Sequence, residues 1–243
     1  MKFPRPLQSG ILIRRYKRFL ADVRLDSGEA LTVHCANPGA MLGCSEPGWR
    51  VLISESPNPG RKLTHTLELI HNGTCWIGIN PTLANAVAEE GIRAGRVPEL
   101  NGYDTLAREV RHGVATRFDF LLTRGGGKCL VEVKSATLVG ADGLSAFPDA
   151  ATVRGVKHIL GLLAAKDEGY RAVLLFVVQR SDGTAGFRAA GEIDPLYAET
   201  LRLGLARGLE VYAHRAEVDP EGIVLTDQRL PLAGFPGLSL SRT

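Results

Sequence analysis

The chain has 243 residues, with 29 Lys and Arg against 26 Asp and Glu and a formal charge of +3. It is 44% hydrophobic and 23% charged, which is typical of a folded globular protein and excludes disordered, fibrous and disulfide-dense chains. No stretch approaches the ~20 apolar residues of a membrane span, and no apolar segment follows the first basic residues, as one does in a signal peptide. We therefore expect a cytoplasmic protein without a membrane partner.

Charge is unevenly distributed along the chain. Residues 1–82 hold ten Lys and Arg and six Asp and Glu, whereas residues 83–243 hold nineteen and twenty. The first twenty residues carry six basic side chains and no acidic one. An excess of positive charge at one end indicates a polyanionic partner.

The four cysteines, Cys35, Cys44, Cys75 and Cys129, form no C-x-x-C pair. We expect free thiols in a reducing compartment, because four scattered cysteines make no disulfide framework. A zinc site formed by His34 and the first three cysteines is the alternative.

Short strands dominate the pattern of residues 1–82. A long strand over residues 11–25 is predicted to turn at residues 26–29 and to return over residues 30–35. Three more strands are predicted at residues 49–54, 62–70 and 75–79, the last two joined by the Asn72-Gly73 pair of a tight turn. Five such strands indicate an all-β domain, and their length suits an OB-like small barrel.

After Pro81 the pattern changes to helices and strands that follow one another. The second of three predicted helices runs from Asp149 to about residue 166 and is expected to bury Val153, Val156, Leu160 and Leu163. The other helices are predicted at residues 83–94 and 194–208, and the strands at residues 106–111, 116–123, 128–135, 172–178 and 209–213. This order implies an α/β domain over residues 83–243, with a mixed sheet flanked by helices.

A basic segment, Arg14-Arg15-Tyr16-Lys17-Arg18, is the first candidate functional site. On a strand, Arg14, Tyr16 and Arg18 would share one face. Cations bind backbone phosphates, and an aromatic ring beside them stacks on bases. We therefore assign all five residues as candidate DNA contacts, against the alternative of a solvated edge strand.

A sharper candidate lies on two neighbouring strands of the second domain. Asp119 sits among apolar residues, and Glu132 and Lys134 share one face of the next strand. A hairpin through residues 123–127 would bring the three side chains together. Two close carboxylates repel each other unless a cation lies between them, and hard oxygen ligands suit Mg²⁺ or Mn²⁺. We therefore predict a metal site at Asp119 and Glu132, with Lys134 assisting an attacking water. An ordinary Glu/Lys surface ladder is the alternative.

Two further sets of residues complete the candidates. Glu90, on the first helix, is a candidate third metal ligand, and Glu109 on a neighbouring strand competes for that role. Arg154, Lys157 and His158 lie on one face of the second helix, where they either contact phosphate or remain solvated.

The chain resembles the sugar fermentation stimulation protein A (SfsA) family in short motifs that run in family order over residues 1 to about 215. The matching motifs are RYKRFLAD at residues 15–22, NPGAM at 37–41, RKL at 61–63, RFD at 117–119, VEVK at 131–134, FPDA at 147–150, RGVKH at 154–158 and DP at 194–195. One departure is Ala36, where we expect the family usually to have proline.

The resemblance implies an OB-like N-terminal domain, a C-terminal domain similar to the PD-(D/E)XK nucleases, and non-specific DNA binding. It also implies a regulatory role in sugar (maltose) metabolism. The nuclease-type motif maps onto Asp119, Glu132 and Lys134, with Glu90 as the acid of the first helix.

Three hypotheses follow from these observations. The first is a DNA-binding protein with a metal-dependent phosphodiesterase site. The second is a non-catalytic transcriptional regulator that keeps a vestigial nuclease fold. The third is a small-molecule enzyme of sugar metabolism that is merely basic at one end. The sequence leaves open whether the protein forms a homo-oligomer.

Overall fold

The computed structural model describes residues 1–113, 116–183 and 185–234. Residues 235–243 of the predicted second domain lie outside this range. The first 80 residues contain six strands, β1 to β6. Their bounds are Gln8–Tyr16, Leu20–Leu25, Ala30–Cys35, Arg50–Glu55, His65–His71 and Trp76–Gly78.

The first five strands close into a barrel. β1 pairs with β2 and β4, β2 pairs with β3, β4 pairs with β5, and a parallel contact between β3 and β5 completes the circle. Side chains that alternate along the strands, including Leu12, Val33, Val51 and Leu67, fill the interior. The predicted small barrel is confirmed.

The prediction of one long strand over residues 11–25 is wrong, because the chain reverses at residues 17–19. Lys17 and Arg18 adopt φ angles of 47° and 64°, and the strands on either side pair with each other from Tyr16↔Leu20 onward. In this pairing Leu12 on β1 and Ala21 and Val23 on β2 all face the barrel interior. The basic residues between them are left at the tip of a hairpin.

The second domain is a six-stranded mixed sheet with helices on both faces. Its helices are α1 (Ala84–Arg93), α2 (Val153–Asp167) and α3 (Pro195–Ala206). Its strands β7 to β15 are Thr105–His112, Thr116–Arg124, Gly127–Ala136, Leu138–Val139, Ser145–Phe147, Arg171–Val178, Phe187–Ala189, Glu210–Asp219 and Gly222–Arg229. The main sheet has the order β15-β14-β12-β9-β8-β7, and the short strands β10, β11 and β13 form a separate sheet.

Two apolar cores lie on opposite faces of the main sheet. One contains α1, which packs against β9 and β15, and the other contains α2 and α3. The central strand β12 is parallel to both of its neighbours and is buried along nearly its whole length, as expected for a strand covered on both faces. The predicted mixed α/β architecture is confirmed.

The start and the buried face of α2 differ from the prediction. The hydroxyl of Thr152, not the carboxylate of Asp149, caps the helix by accepting a hydrogen bond of 2.9 Å from the Gly155 amide. The predicted stripe is wrong at Val153 and Leu160, which are 70% and 53% exposed, whereas Leu163 is buried and Val156 is partly buried against the same core. Periodicity cannot reveal that the second face of α2 packs on α3, where residues including Gly155, Ile159 and Leu162 are buried.

Polar contacts connect the two domains. The carboxylate of Asp149 accepts a hydrogen bond of 2.8 Å from the Met41 amide, and Asp182 accepts one of 2.6 Å from the Asn72 side chain. Residues 81–83 form a short 3-10 helix between β6 and α1, and the division predicted after residue 82 falls within it.

Strand β15 was not predicted from the weakly patterned tail. No helix of the described residues is long and apolar enough to cross a membrane.

Candidate active site

The β8–β9 hairpin positions Asp119, as predicted for this pair of strands. Regular pairing between the strands ends at Phe120↔Val131. Beyond that pair, the Val133 amide donates a hydrogen bond of 2.8 Å to Oδ2 of the Asp119 side chain and not to a backbone carbonyl of β8. Its Oδ1 accepts a hydrogen bond of 2.7 Å from Asn85 in the first turn of α1. Asp119 therefore lies where the two strands separate, half-buried beneath the start of the helix.

The environment of Asp119 disfavours its charged form. Burial raises the pKa of this carboxyl above its ordinary value, and the negative charge of Glu132 raises it further. The hydrogen bonds from Val133 and Asn85 oppose this rise without cancelling it. A cation between the two carboxylates would relieve this repulsion.

Glu132 is buried and held by Lys134 and His158 on one of its two oxygens. Its side chain is 3% exposed, and its Oε1 contacts Lys134 Nζ at 2.5 Å and His158 Nδ1. Arg154 Nε donates to His158 Nε2 over 3.2 Å. An ionised carboxylate can only accept, so His158 Nδ1 donates to Glu132 Oε1 and Nε2 is the acceptor for Arg154.

The second carboxylate oxygen of Glu132, Oε2, forms no hydrogen bond with a described residue. Burial alone would raise the pKa of Glu132, but the hydrogen bond from His158 and the charge of Lys134 outweigh it and hold the pKa below its ordinary value. Glu132 Oε2 is buried and has no hydrogen-bond partner among the described residues. A carboxylate kept ionised with one oxygen unpartnered is a ligand for a cation.

The structure does not bring Glu90 to this site. Glu90 is about half exposed and pairs with the amino group of Met1 at 2.9 Å, because it lies on the side of α1 that faces the N-terminus. Its competitor Glu109 pairs with Arg117 at 2.7 Å and is also about half exposed. The position on α1 that contacts Asp119 is occupied by Asn85, which the sequence reasoning missed. The sequence does contain a signal for Asn85, because a polar residue in the first turn of a helix that packs on a sheet can reach the side chains of that sheet.

A basic groove runs beside the site. Its volume is about 670 Å³, and its walls include Arg117, Arg154, Lys157 and His158. The exposed Leu160 supplies an apolar patch to the same groove. Arg154 and Lys157 are exposed, whereas His158, on the same helix, turns inward to Glu132.

The basic residues of the β1–β2 hairpin divide into three groups. Arg14 pairs with Asp22 at 2.9 Å and lies over the ring of Tyr16 at 4.7 Å. Arg15 instead donates to four backbone carbonyls, those of Arg18, Asn37, Gly39 and Ala40. These hydrogen bonds hold the hairpin against the loop at residues 37–40, whereas the sequence predicted that Arg15 contacts DNA.

The third group is Lys17 and Arg18, which are exposed at the tip of the hairpin. The predicted shared face of Arg14, Tyr16 and Arg18 does not exist, because Arg18 lies in the turn and not on the strand. The aromatic ring and the cation of Arg14 remain next to each other on β1.

The donor chemistry fits a hard divalent cation held by few protein ligands. Among the described residues no group of three His, Cys, Asp or Glu side chains is arranged to hold a metal ion, so the predicted zinc alternative has no support there. Asp119 and Glu132 Oε2 provide carboxylate oxygens. Mg²⁺ is commonly held by one or two carboxylates, with waters and substrate phosphates completing its shell.

Comparisons with known proteins agree with the two-domain architecture. A family model described as the SfsA N-terminal OB domain matches residues 13–79. A second, described as the sugar fermentation stimulation protein RE domain, matches residues 82–222.

Relatives match over nearly the whole chain. The sugar fermentation stimulation protein homolog of Geobacter sulfurreducens is 50% identical over 96% of this chain and 100% of its own length. The homolog of Rhodospirillum rubrum is 47% identical over 96% of this chain and 99% of its own. The solved structure of Pyrococcus furiosus SfsA in complex with Ca²⁺ has a TM-score of 0.85 at 27% identity, covering 96% of this chain and 97% of that one.

Proposed function

The chain belongs to the sugar fermentation stimulation protein family, and from this premise and the geometry of the site we propose that it is a non-specific DNA-binding protein with a divalent-metal-dependent phosphodiesterase site. Asp119, Glu132 and Lys134 are the proposed catalytic residues. The observation that carries the proposal is Glu132, a buried carboxylate held by Lys134 and His158 on one oxygen and left without a partner on the other.

Asp119 and Glu132 would hold the metal, which is Mg²⁺ or Mn²⁺ in this proposal. A bound divalent ion would polarise a phosphate oxygen and lower the pKa of a water molecule. The Pyrococcus furiosus relative is described in complex with Ca²⁺, a cation that also prefers oxygen ligands. This supports a divalent cation in the family fold.

The surrounding residues orient the carboxylates and the substrate. Asn85 and the Val133 amide fix the Asp119 carboxylate, and His158 fixes that of Glu132. The Lys134 ammonium donates to Glu132 and provides positive charge for a phosphoryl group that gains negative charge in the transition state. Arg154 and Lys157, which line the groove beside the site, would bind backbone phosphates of the DNA.

DNA binding by this surface would be salt-sensitive and poorly selective for sequence. Phosphate contacts position a protein on nucleic acid but read no bases. In the barrel, Lys17 and Arg18 at the hairpin tip and the Arg14–Tyr16 pair are the remaining candidate contacts, the pair offering a ring for base stacking. Arg15 is left out because backbone carbonyls occupy its guanidinium.

The family name favours a role in sugar metabolism, and we propose that DNA binding in the cytoplasm regulates its genes, those of maltose metabolism included. The second candidate function is DNA binding without cleavage. It is favoured by the finding that the described residues contain no third acidic metal ligand.

A cleavage assay distinguishes the two functions. Linear, nicked and branched DNA are incubated with Mg²⁺ or Mn²⁺ and the wild-type protein, Asp119→Asn, Lys134→Met or the control Glu90→Gln. We expect cleavage by the wild type and by Glu90→Gln, and at least a ~100-fold loss in the other two variants with gel-shift affinity retained. If the wild type retains DNA but cleaves none of these substrates, the non-catalytic function stands instead.

A further inference from the structure

A second cavity lies between the barrel and the second domain. Its volume is about 390 Å³, within the range of small-molecule sites. The chain from Met1 to Pro4, the ends of β3, β4 and β5 and the segment at residues 80–83 form its walls. None of the residues proposed to bind the metal or the DNA lines it.

The floor of this cavity carries a buried carboxylate, that of Glu68, which is 6% exposed. Its Oε1 accepts a hydrogen bond of 2.6 Å from Ser54, and its Oε2 accepts one of 2.7 Å from Asn80. Both donors are neutral, and no cation of the described residues forms an ion pair with Glu68. Burial of a carboxylate without a counter-charge is costly unless a ligand supplies that charge.

A β-bulge directs Glu68 into the cavity. On β5 the residues before and after it pair with consecutive residues of β4, in the register Ile53↔Leu67 and Leu52↔Leu69, which leaves Glu68 as an extra residue. Leu67 points into the barrel core, so Glu68 points outward. Bulges are common beside active sites, where they redirect a side chain.

A guanidinium lies near the same floor. Arg61 Nη1 donates to the hydroxyl of Thr66 over 2.9 Å, and Arg61 forms no ion pair with a described residue. Thr66 and Glu68 are two residues apart on β5 and, like Arg61, both line the cavity, so the guanidinium that donates to Thr66 and the Glu68 carboxylate share one wall. Burial lowers the pKa of His34 on the cavity wall, and the charge of Arg61 lowers it further, which disfavours a second cation there.

We propose that this cavity binds a small zwitterion of the α-amino-acid class, with its ammonium on Glu68 and its carboxylate on Arg61. The ammonium and carboxylate of an α-amino acid are carried on a single carbon atom, so one small molecule can offer a charge-assisted hydrogen bond to each side chain. A neutral polyol would offer neither side chain an opposite charge. The site is independent of DNA cleavage, because its residues contact none of the proposed catalytic side chains.

Thermal unfolding of the full chain tests the proposal. The probes are L-alanine, L-leucine and L-glutamine, compared with butylamine, butyrate and glycerol at equal concentration. We expect a saturable rise in melting temperature with at least one amino acid and a smaller rise or none with the three single-function compounds. The proposal is overturned if no amino acid raises the melting temperature, or if butylamine, butyrate or glycerol raises it as much.

Three variants locate the binding site. Glu68→Gln and Arg61→Gln should each weaken binding by about tenfold or more, whereas Arg24→Gln, on an exposed part of β2, should bind as the wild type does. Arg61 is only half-buried and holds one side chain by one hydrogen bond, so its variant should fold even if Glu68→Gln does not. Undiminished binding by Arg61→Gln contradicts the assignment.

Discussion

Replacement of Arg15 by methionine should destabilise the barrel, because the guanidinium holds the β1–β2 hairpin to the loop at residues 37–40. Its Nη2 donates to the carbonyls of Arg18, Asn37 and Gly39 at 2.8, 2.9 and 2.8 Å, and its Nη1 donates to that of Ala40 at 3.2 Å. Methionine keeps the apolar stem and removes all four hydrogen bonds.

The magnitude follows from the two hydrogen bonds that are partly buried, those to Asn37 and Gly39. A hydrogen bond from a charged group contributes about 1.5–3 kcal/mol, and partial exposure favours the lower end of that range. The two bonds to Arg18 and Ala40 lie in contact with solvent and add little. We expect the free energy of unfolding to fall by about 3 kcal/mol.

Urea denaturation followed by tryptophan fluorescence measures this change, with Arg14→Met as the matched control. The Arg14 side chain is 65% exposed, and its partners among the described residues are Asp22 and Tyr16, so its removal should change stability much less. If Arg15→Met costs less than about 1 kcal/mol, or no more than Arg14→Met, Arg15 does not fasten the loop, and its assignment as a DNA contact is restored.

Further predictions concern the second domain and the contacts between domains. Tyr197→Phe should leave stability unchanged or raise it in the same denaturation assay, because the buried hydroxyl has no partner among the described residues; a marked loss would show that a bound water supports it. Gly39→Ala should destabilise the protein, since a Cβ atom would lie 2.2 Å from the Asp149 carboxylate that accepts from Met41; an unchanged melting temperature would contradict this. Burial alone would raise the pKa of Asp182, but Arg180 outweighs it and lowers the pKa to about 2. The ionised Asp182 therefore stabilises the folded protein above the unfolded-state pKa of about 3.9, and this stabilisation is lost as the pH falls toward 2. Asp182→Asn should not show this loss when denaturation is measured across the same pH range. Burial also raises the pKa of the Cys44 thiol to about 12, so native protein should resist alkylation of Cys44 at pH 8 in a mass-spectrometric assay; rapid labelling would contradict its burial.

The strands of the site could be predicted because they depend on local pattern. Alternation places Glu132 and Lys134 on one face of β9, and the glycines at residues 125–127 allow the hairpin that brings β8 beside it. The contact between Lys134 and Glu132 therefore agrees with the prediction.

The remaining features depend on tertiary packing. The inward turn of His158 requires the rotation of α2, which is set by its contact with α3 and not by its own periodicity. The placement of Glu90 near Met1 requires the path of the N-terminus, which no local pattern contains. Arg15 is occupied by carbonyls only because a loop more than twenty residues later folds against the hairpin.

Manganese binding tests the central claim most directly. Electron paramagnetic resonance measures free Mn²⁺ in the presence of the wild type, Glu132→Gln and the control Glu109→Gln, whose carboxylate pairs with Arg117 outside the site. We expect the wild type and the control to bind one ion with similar affinity, and Glu132→Gln to bind at least about tenfold more weakly because its uncharged amide replaces the ionised carboxylate. Absence of Mn²⁺ binding by the wild type, or equal binding by Glu132→Gln, would contradict the account.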